Sequence, residues 1–281
     1  MDEAQRSRRS AGVAAVFDRV ADTYDNVGVP WFAPIAERLV AGLEPRPGDR
    51  ALDVGSGRGA ALFPLTTAVG PTGSVTGIDL SARMVEVTSA DIRQRGLTNV
   101  TLQVMDAAAP HFPAAGFDIV ASSLVVFFLP EPAAALAHWR ELLVPGGRLG
   151  LSTFGAPSAV WQAVDAVFRP FLPPAMLDAR TTGAAGPFES DAGVESLVTG
   201  AGFVNVRTEC FDLEVVLTDV DHWSRWSHSH GQRAMWDAVP AAEQASVLAA
   251  VGQILEHARR PDGTFGLSQV VRLTYAEREA G

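Results

Sequence analysis

A glycine-rich loop follows directly on an apolar run early in the chain. Residues 53–59 read Asp-Val-Gly-Ser-Gly-Arg-Gly, and the run before them is typical of a buried strand. Gly55 and Gly57 permit a tight turn whose backbone can approach a ligand closely, with Ser56 between them. The glycine spacing also satisfies a dinucleotide fingerprint, with Ala60 in its last position. Because Asp53 would repel a pyrophosphate, we favour a ligand that carries a positively charged amino-acid part.

Two further acids follow later apolar runs, in Gly-Ile-Asp-Leu-Ser at 77–81 and Val-Met-Asp-Ala at 104–107. The carboxylate of Asp79 offers two acceptor oxygens to the hydroxyls of a ribose. Asp106 could accept a hydrogen bond from an adenine amino group. Together with Asp53, these acids predict a nucleoside site at the ends of neighbouring strands.

A parallel sheet must bring these residues together, because short apolar runs alternate with helical patterns between residues 50 and 153. The predicted strands are Arg50–Val54, Ser74–Asp79, Val100–Met105, Phe117–Ser122 and Arg148–Thr153. The predicted helices between them are Ala60–Val69, Ser81–Arg95 with Ser81 as N-cap, and Ala133–Leu143 before the stop at Pro145-Gly146-Gly147. This alternation predicts an α/β fold with a doubly wound, Rossmann-like sheet.

Further elements flank this core on both sides. Helical spacing predicts two N-terminal helices, over Ser10–Tyr24 and Pro34–Gly42. The later pattern predicts a capped helix over Ser190–Gly200, a strand over Phe203–Leu217 and a last strand over Gly266–Tyr275. We therefore expect one domain over 1–281, with seven strands in a single sheet. Residues 1–48 would form a helical arm or lid, 50–155 the ligand-binding core, and 156–189 and 218–260 two insertions that cap it.

The chain resembles the class I S-adenosylmethionine-dependent methyltransferases between Ala51 and Thr153. The resemblance rests on Leu-Asp-Val-Gly-Ser-Gly-Arg-Gly at 52–59, Gly-Ile-Asp-Leu-Ser at 77–81 and Glu-Leu-Leu-Val-Pro-Gly-Gly at 141–147. It implies S-adenosyl-L-methionine as cofactor and a seven-stranded sheet whose last strand is antiparallel. It also implies cofactor-binding roles for Gly55 and Gly57 at the methionine part, Asp79 at the ribose, Leu80 and Met84 beside the adenine, Asp106 and Ala107 at its edge, and Ser122 near the sulfur.

The segment at 17–25 is similar to the N-terminal helix of the small-molecule and quinone methyltransferase branch. This similarity implies that Tyr24 folds over the cofactor, although its ring could equally be a half-buried aromatic on the sheet. Arg58 could bind the cofactor carboxylate or, as we slightly favour, pair with Asp53 or a neighbouring acid.

Large aromatic side chains follow strand ends or lie in the expected cap. They could wall an apolar acceptor pocket, or they could form the cap's own core. The predicted pocket residues are Phe127, Phe128, Trp161, Trp223 and Trp226, with Trp236 nearby. His228 and His230 are candidates for a base that deprotonates an acceptor hydroxyl, but their spacing lacks the carboxylate partner of a zinc site, so we expect no metal.

The composition excludes several classes of function. The net charge of −10 argues against a nucleic-acid partner, because 32 acidic residues outnumber 22 basic ones. All basic residues are arginine, which removes Schiff-base lysine catalysis. The single cysteine, Cys210, has the pattern of a small core residue. With neither a secretory signal nor a membrane-spanning run in sight, we expect a cytoplasmic protein that could form a homo-oligomer.

The expected reaction is methyl transfer to a small, largely apolar acceptor, in secondary metabolism. We favour oxygen as the methylated atom over carbon or nitrogen. Two alternatives stay open at this point: a nicotinamide-dependent oxidoreductase that uses the same glycine turn, and a non-catalytic subunit that keeps the methyltransferase fold.

Overall fold

One mixed sheet of seven strands organises the chain, in the order β3-β2-β1-β4-β5-β7-β6. The computed structural model describes residues 3–281, and it describes side chains from residue 10 onward except at 175 and 179. The strands are β1 (Arg50–Val54), β2 (Ser74–Asp79), β3 (Val100–Val104), β4 (Phe117–Ser123), β5 (Leu143–Pro157), β6 (Val204–Leu217) and β7 (Phe265–Glu277). Strands β1 to β5 are parallel, and β7 is antiparallel to β5 and to β6. The predicted fold class, with its antiparallel last strand, is confirmed.

The strand order reverses at β1, which pairs with β2 on one side and with β4 on the other. In open α/β sheets, ligands bind at such a switch point, outside the carboxyl ends of the strands. The register places Asp53 beside Gly77 on β2 and beside Ala121 on β4. The glycine loop that follows β1 therefore lies at the centre of the ligand edge.

Ten α-helices in residues 3–281 accompany the sheet, and we call the helices within 156–189 and 218–260 the cap. The ten helices are α1 (Glu3–Val20), α2 (Phe32–Gly42), α3 (Leu62–Val69), α4 (Ala82–Gln94), α5 (Pro132–Leu142), α6 (Ala159–Phe168), α7 (Asp191–Gly200), α8 (Val220–His228), α9 (Arg233–Ala238) and α10 (Gln244–Leu255). Ser81 caps α4 as predicted, since its Oγ accepts from the amide of Met84 at 3.0 Å.

The boundary between α5 and β5 differs from the sequence prediction for a local reason. Strand β5 begins at Leu143 and runs through the Pro-Gly-Gly segment, where its register with β4 is irregular. Gly146 has a φ of +75°, which the interior of a helix or a regular strand does not accept. The Pro-Gly-Gly segment therefore ends α5 as expected. It forms the irregular first part of β5 and not a separate turn.

The N-terminal helices are shifted relative to their predicted ranges. Helix α1 ends at Val20 and not at Tyr24, and Asp25 adopts a φ of +56° that a continuing helix cannot contain. Burial raises the pKa of Asp25, and the backbone amides of Phe32, Trp31 and Ala33 at the start of α2 oppose this shift. Asp25 thus lies at the turn between the two helices, beside the start of the second one.

The two insertions contain helices that the sequence pattern only outlined. Residues 156–189 hold α6 followed by short 3-10 turns, and residues 218–260 hold α8, α9 and α10. Cys210 was expected in the core, but it is exposed, because β6 is an edge strand and the cysteine lies beside Asp191 with Sγ 3.6 Å from Oδ2. That expectation was wrong. No helix of the described residues is long and apolar enough to cross a membrane.

Candidate functional site

A cavity lies at the carboxyl edge of the sheet, where β1, β2 and β4 end and where α1 passes over them. Its empty volume is about 840 Å³, including the part open to solvent. The sheet side of the cavity is formed by Gly55, Gly57, Asp79, Leu80 and Ser81. A second part of this wall consists of Met84, Asp106 and Ala107, and the lining residues from α1 and from the segment after β4 are mostly apolar.

Asp79 holds the glycine loop and the start of α4 together. Its Oδ2 accepts from the amide of Gly57 at 2.8 Å, and its Oδ1 accepts from the amide of Ser81 at 2.8 Å. Each carboxylate oxygen can accept one further hydrogen bond, which leaves acceptor capacity toward the cavity. Burial raises the pKa of Asp79, and the amides of Ser81 and Gly57 oppose this shift.

Gly57 turns an open backbone face toward the ligand edge. Its φ is +48°, and a Cβ built on it would meet no atom within 4 Å. Any side chain would therefore occupy free space beside the loop and would strain the backbone. At Gly55 a Cβ would instead come within 2.3 Å of Val125, so this glycine allows the loop to pack closely.

Asp53 lies behind the glycine loop and not in the cavity wall. It is only 1% exposed. Burial, reinforced by the charge of Asp79, raises the pKa of Asp53 to about 7. Its Oδ2 has no hydrogen-bond partner among the described residues. Ser56 is buried beside it, with its amide bonded to Ile78 O at 2.9 Å, and likewise does not line the cavity.

Asp106 and Ala107 form the far end of the sheet-side wall. The Oδ1 of Asp106 accepts from the amide of Ala108 at 2.8 Å, and its Oδ2 is 3.4 Å from the Oγ of Ser10 on α1. The structure thus brings Asp79, Leu80, Met84, Asp106 and Ala107 together in one wall, as the sequence suggested. The ligand contacts of these residues remain predictions.

Helix α1 covers the cavity with one face that the sequence analysis missed. Ser10, Val13, Ala14 and Phe17 all line the cavity, and their spacing is that of a single helical face. The spacing of these four residues was the signal in the sequence that could have identified this face. Near its end, α1 is bonded to the start of α4, because Asp18 Oδ1 accepts from the Oγ of Ser81 at 2.5 Å and from the amide of Arg83 at 3.1 Å.

Tyr24 lines the cavity between α1 and α2. Its ring stacks on Phe32 with centroids 4.3 Å apart and meets Phe17 edge-on at 6.2 Å. Burial, with smaller effects from Asp25 and Asp79, raises the pKa of Tyr24 well above its usual value. The phenol therefore stays protonated at neutral pH.

The glycine-loop arginine ties the loop to the end of α1. The Nη1 of Arg58 donates to the carbonyl of Ala21 at 2.8 Å, and its Nη2 pairs with Asp91 at 2.7 Å. A pairing with a neighbouring acid was the favoured interpretation, and Asp91 on α4 is that acid.

Ser122 was expected to approach the ligand but lies inside β4. It is fully buried, whereas the next residues, Ser123, Leu124 and Val125, line the cavity. The reason is the strand itself: successive side chains point to opposite faces, so a placement that is one residue early selects the wrong face.

Of the predicted pocket aromatics, only Phe128 lines the cavity. Phe127 is buried beneath it, with ring centroids 4.9 Å apart. Trp161, Trp223 and Trp226 are at most 5% exposed and pack inside the cap. These four residues do not line the cavity, because the three indoles pack against other rings of the cap and Phe127 packs against Phe128 and Phe154.

The buried rings form two clusters. In the first, which we call the aromatic collar, each ring contacts the next at 4.3–6.2 Å until the chain of contacts closes. One arc of the collar runs through Tyr24, Phe32, His230 and Trp226. The other arc returns through Trp31, Phe154, Phe127, Phe128 and Phe17. The collar therefore extends from the cavity wall into the cap.

The second cluster joins Phe168, Trp223 and Trp236 with His228, whose ring stacks on Trp236 at 4.6 Å. His228 and His230 thus belong to different clusters although they are two residues apart. Neither lines the cavity, and burial lowers the pKa of His230 to about 3. No group of three or more potential metal ligands occurs among the described residues.

Comparison with known proteins gives consistent results. A family described as a methyltransferase domain matches residues 51–147. Nocamycin O-methyltransferase of Saccharothrix syringae is 39% identical over 244 residues, covering 83% of this chain and 87% of that protein. Aklanonic acid methyltransferase of a Streptomyces species is 41% identical over 174 residues, covering 62% of this chain and 79% of that protein.

A solved structure shows the same fold at low sequence identity. Phosphoethanolamine N-methyltransferase 2 of Haemonchus contortus, in complex with S-adenosyl-L-methionine, superimposes with a TM-score of 0.58 at 15% identity. The match covers 93% of this chain and 57% of that one.

Proposed function

Because this chain belongs to the class I S-adenosylmethionine-dependent methyltransferases, we propose that it methylates an oxygen atom of a small, largely apolar molecule of secondary metabolism. The choice of oxygen is supported by the relative named as an O-methyltransferase. The choice of an apolar acceptor is supported by the apolar wall that α1 and the segment after β4 form, where Phe17, Leu124, Phe128 and Leu129 line the cavity. This apolar wall is the observation that carries the proposal.

The residues of the cavity fit the cofactor. Gly57 leaves open space beside its backbone, and Asp79 keeps acceptor capacity for hydroxyl groups. Leu80, Met84 and Ala107 offer an apolar surface to a base, and Asp106 an acceptor at its edge. Bound S-adenosylmethionine supplies an activated methyl group on a positively charged sulfur.

The protein's own contribution is to bind, to orient and to exclude water. Asp79 fixes the glycine loop, and α1 with Tyr24 closes the cavity over it. The apolar wall places an acceptor against the cofactor and keeps competing water out. Orientation of two reactants can lower a barrier by several kcal/mol without a covalent catalyst, so no nucleophilic residue is required.

A binding experiment tests the cofactor site first. We expect micromolar binding of S-adenosylhomocysteine in isothermal titration and no binding of NADH in a parallel titration. NADH binding in place of S-adenosylhomocysteine would revive the oxidoreductase alternative. Binding of neither would favour a non-catalytic subunit.

A labelling experiment tests the acceptor atom. The protein is incubated with S-adenosylmethionine carrying a 13C methyl group and with a panel of phenols, carboxylic acids, quinols and amines. NMR of the products then distinguishes methyl groups on oxygen, carbon and nitrogen. Label only on carbon or nitrogen would contradict the proposal.

A cytoplasmic location, the lack of a nucleic-acid partner and a homo-oligomeric state stay predictions.

A further inference from the structure

Ser123, at the end of β4, brings a hydroxyl group to the apolar part of the cavity wall. The residue lines the cavity together with Leu124 and Val125, which follow it in the chain. Phe128 and Leu129 continue this wall. Among the residues of 123–130 that line the cavity, Ser123 has the only polar side chain. A ligand oxygen at this wall would therefore find its side-chain partner in Ser123.

The hydrogen bonds of Ser152, the neighbour of Ser123 on β5, indicate where the proton of Ser123 points. The Oγ of Ser152 accepts from the amide of Leu124 at 3.0 Å and lies 3.0 Å from the Oγ of Ser123. Ser152 is fully buried, and its hydroxyl has no other partner among the described residues. Because a buried hydroxyl without an acceptor costs free energy, Ser152 is the donor in this pair. The proton of Ser123 is then left for the cavity that its side chain lines.

The backbone turn at Leu124 directs this part of the wall toward the cavity. Its φ is +59°, in the left-handed region that costs a residue with a side chain about 1–2 kcal/mol. In a continuing strand, Leu124 would point to the face opposite Ser123, whereas both line the cavity here. Ser152 holds the turn, because its carbonyl oxygen also accepts from the Leu124 amide, at 3.2 Å. Such strain persists where the surrounding structure enforces it, and it is concentrated at functional sites.

The packing of the glycine loop separates Ser123 from the acids of the sheet-side wall. Strand β4 pairs with β1 on the side opposite β2, whereas Asp79 ends β2 and Asp106 follows β3. Val125 packs against the loop itself, since a Cβ on Gly55 would come within 2.3 Å of it. The segment that carries Ser123 thus lies across the loop from both acids. Because the proposed site assigns the nucleoside to these acids, Ser123 faces the part of the cavity left for the acceptor.

The other hydroxyl groups of the cavity wall have partners or lie on the cofactor side. In Ser10 and Ser81, the hydroxyl donates to a carboxylate. Tyr24 lies close enough to Asp79 for the charge of this acid to contribute to the raised pKa of the phenol. These groups therefore belong to the half of the cavity that the cofactor would fill, in contrast to Ser123.

We propose that the hydroxyl of Ser123 donates a hydrogen bond to an oxygen of the bound acceptor and thereby selects which oxygen is methylated. This inference rests on the proposed O-methylation. A bond to the reacting oxygen would draw electron density from the lone pair that attacks the methyl group, so the bond goes to a second oxygen. The acceptor class is then an apolar molecule with a further oxygen, such as a carbonyl, beside the one that is methylated.

Two probes that differ by one carbonyl oxygen test this hydrogen bond. 1-Tetralone carries the oxygen, and tetralin has the same ring system without it. Each probe is titrated by ligand-observed NMR in the presence of S-adenosylhomocysteine. Ser123→Ala should weaken the binding of 1-tetralone about fivefold, as expected for the loss of one neutral hydrogen bond, and leave the binding of tetralin unchanged. Ser123→Thr, which keeps a hydroxyl, should restore the affinity for 1-tetralone.

Ser122→Ala is the matched control. It removes a neighbouring hydroxyl that is buried without a partner and does not line the cavity, so both probes should bind as in the wild type. An equal effect of Ser123→Ala on both probes would overturn the proposal. The same holds for an equal loss in Ser122→Ala, for a loss that Ser123→Thr does not restore, and for failure of 1-tetralone to bind the wild type.

Titration with S-adenosylhomocysteine on the same samples separates this inference from the proposed function. The affinity should be the same in the wild type and in the three variants. A loss in Ser123→Ala alone would assign the hydroxyl to the cofactor and overturn its role toward the acceptor. Failure of the wild type to bind S-adenosylhomocysteine would instead contradict the proposed function itself.

Discussion

The cofactor edge and the cap use their side chains in opposite ways. At the carboxyl edge of β1 and β2, the important side chains are acids held by backbone amides, such as Asp79 between Gly57 and Ser81. In the cap, the prominent side chains are indoles buried against one another, such as Trp223 and Trp236. The side chains of the first region face a ligand site, whereas those of the second mostly pack against one another.

This difference decides what the sequence could predict. Asp53 and Asp79 lie at the carboxyl ends of β1 and β2, and Gly57 lies in the loop after β1, so the strands themselves determine where these residues lie. The cap residues depend on how α6, α8 and α9 pack, which local patterns do not encode. Trp161 and Trp226 were therefore assigned to a pocket although they belong to the buried interior. Ser122 shows the limit even at the edge, because one residue of error reverses the face of a strand.

The largest expected effect is on the stability of the cap. Trp223→Ala should reduce the free energy of unfolding by about 3–5 kcal/mol, since it removes a fully buried indole that contacts Phe168 and Trp236. Urea denaturation measures the loss. Under native conditions, the affinity for S-adenosylhomocysteine should stay unchanged. A marked loss of affinity would show that the cofactor edge depends on the packing of the cap.

The next effect is on cofactor affinity. Asp79→Ala should weaken S-adenosylhomocysteine binding by at least about 100-fold, because it removes charge-assisted hydrogen bonds of about 1.5 kcal/mol each. Asp118→Ala is a matched control, since Asp118 pairs with Arg50 at the start of β4, where the opposite edge of the sheet begins. Similar affinities in the two variants would contradict the assigned site.

The buried acid behind the glycine loop should make stability depend on pH. Unfolded Asp53 loses its proton near its ordinary pKa of 3.8, while the folded protein retains it up to about pH 7. The folded state is thus favoured fully below pH 4, and this contribution is lost as the pH rises through about 7. Compared with Asp53→Asn, the wild type should lose about 3 kcal/mol more between pH 4 and pH 7. Parallel pH profiles in the two proteins would contradict this assignment.

The smallest effect concerns the bond between α1 and α4. Asp18→Ala removes the acceptor of Ser81 Oγ and of the Arg83 amide, so S-adenosylhomocysteine should dissociate about fivefold faster. Stopped-flow fluorescence measures the rate. Asp22→Ala serves as control, because the exposed pair of Asp22 with Arg83 should contribute little. Equal acceleration in both variants would mean that net charge, and not the bond, holds α1 in place.

Helix α1 touches both regions of this comparison. Ser10 reaches Asp106 at one end, Asp18 holds α4, and Arg19 pairs with Asp237 on α9 at 2.8 Å. In kinetic terms, this places an opening step between a spent cofactor and the solvent. When a helix such as α1 must move before the product can leave, product release is commonly the rate-limiting step of turnover. The expected time course is a rapid first turnover followed by a slower steady state.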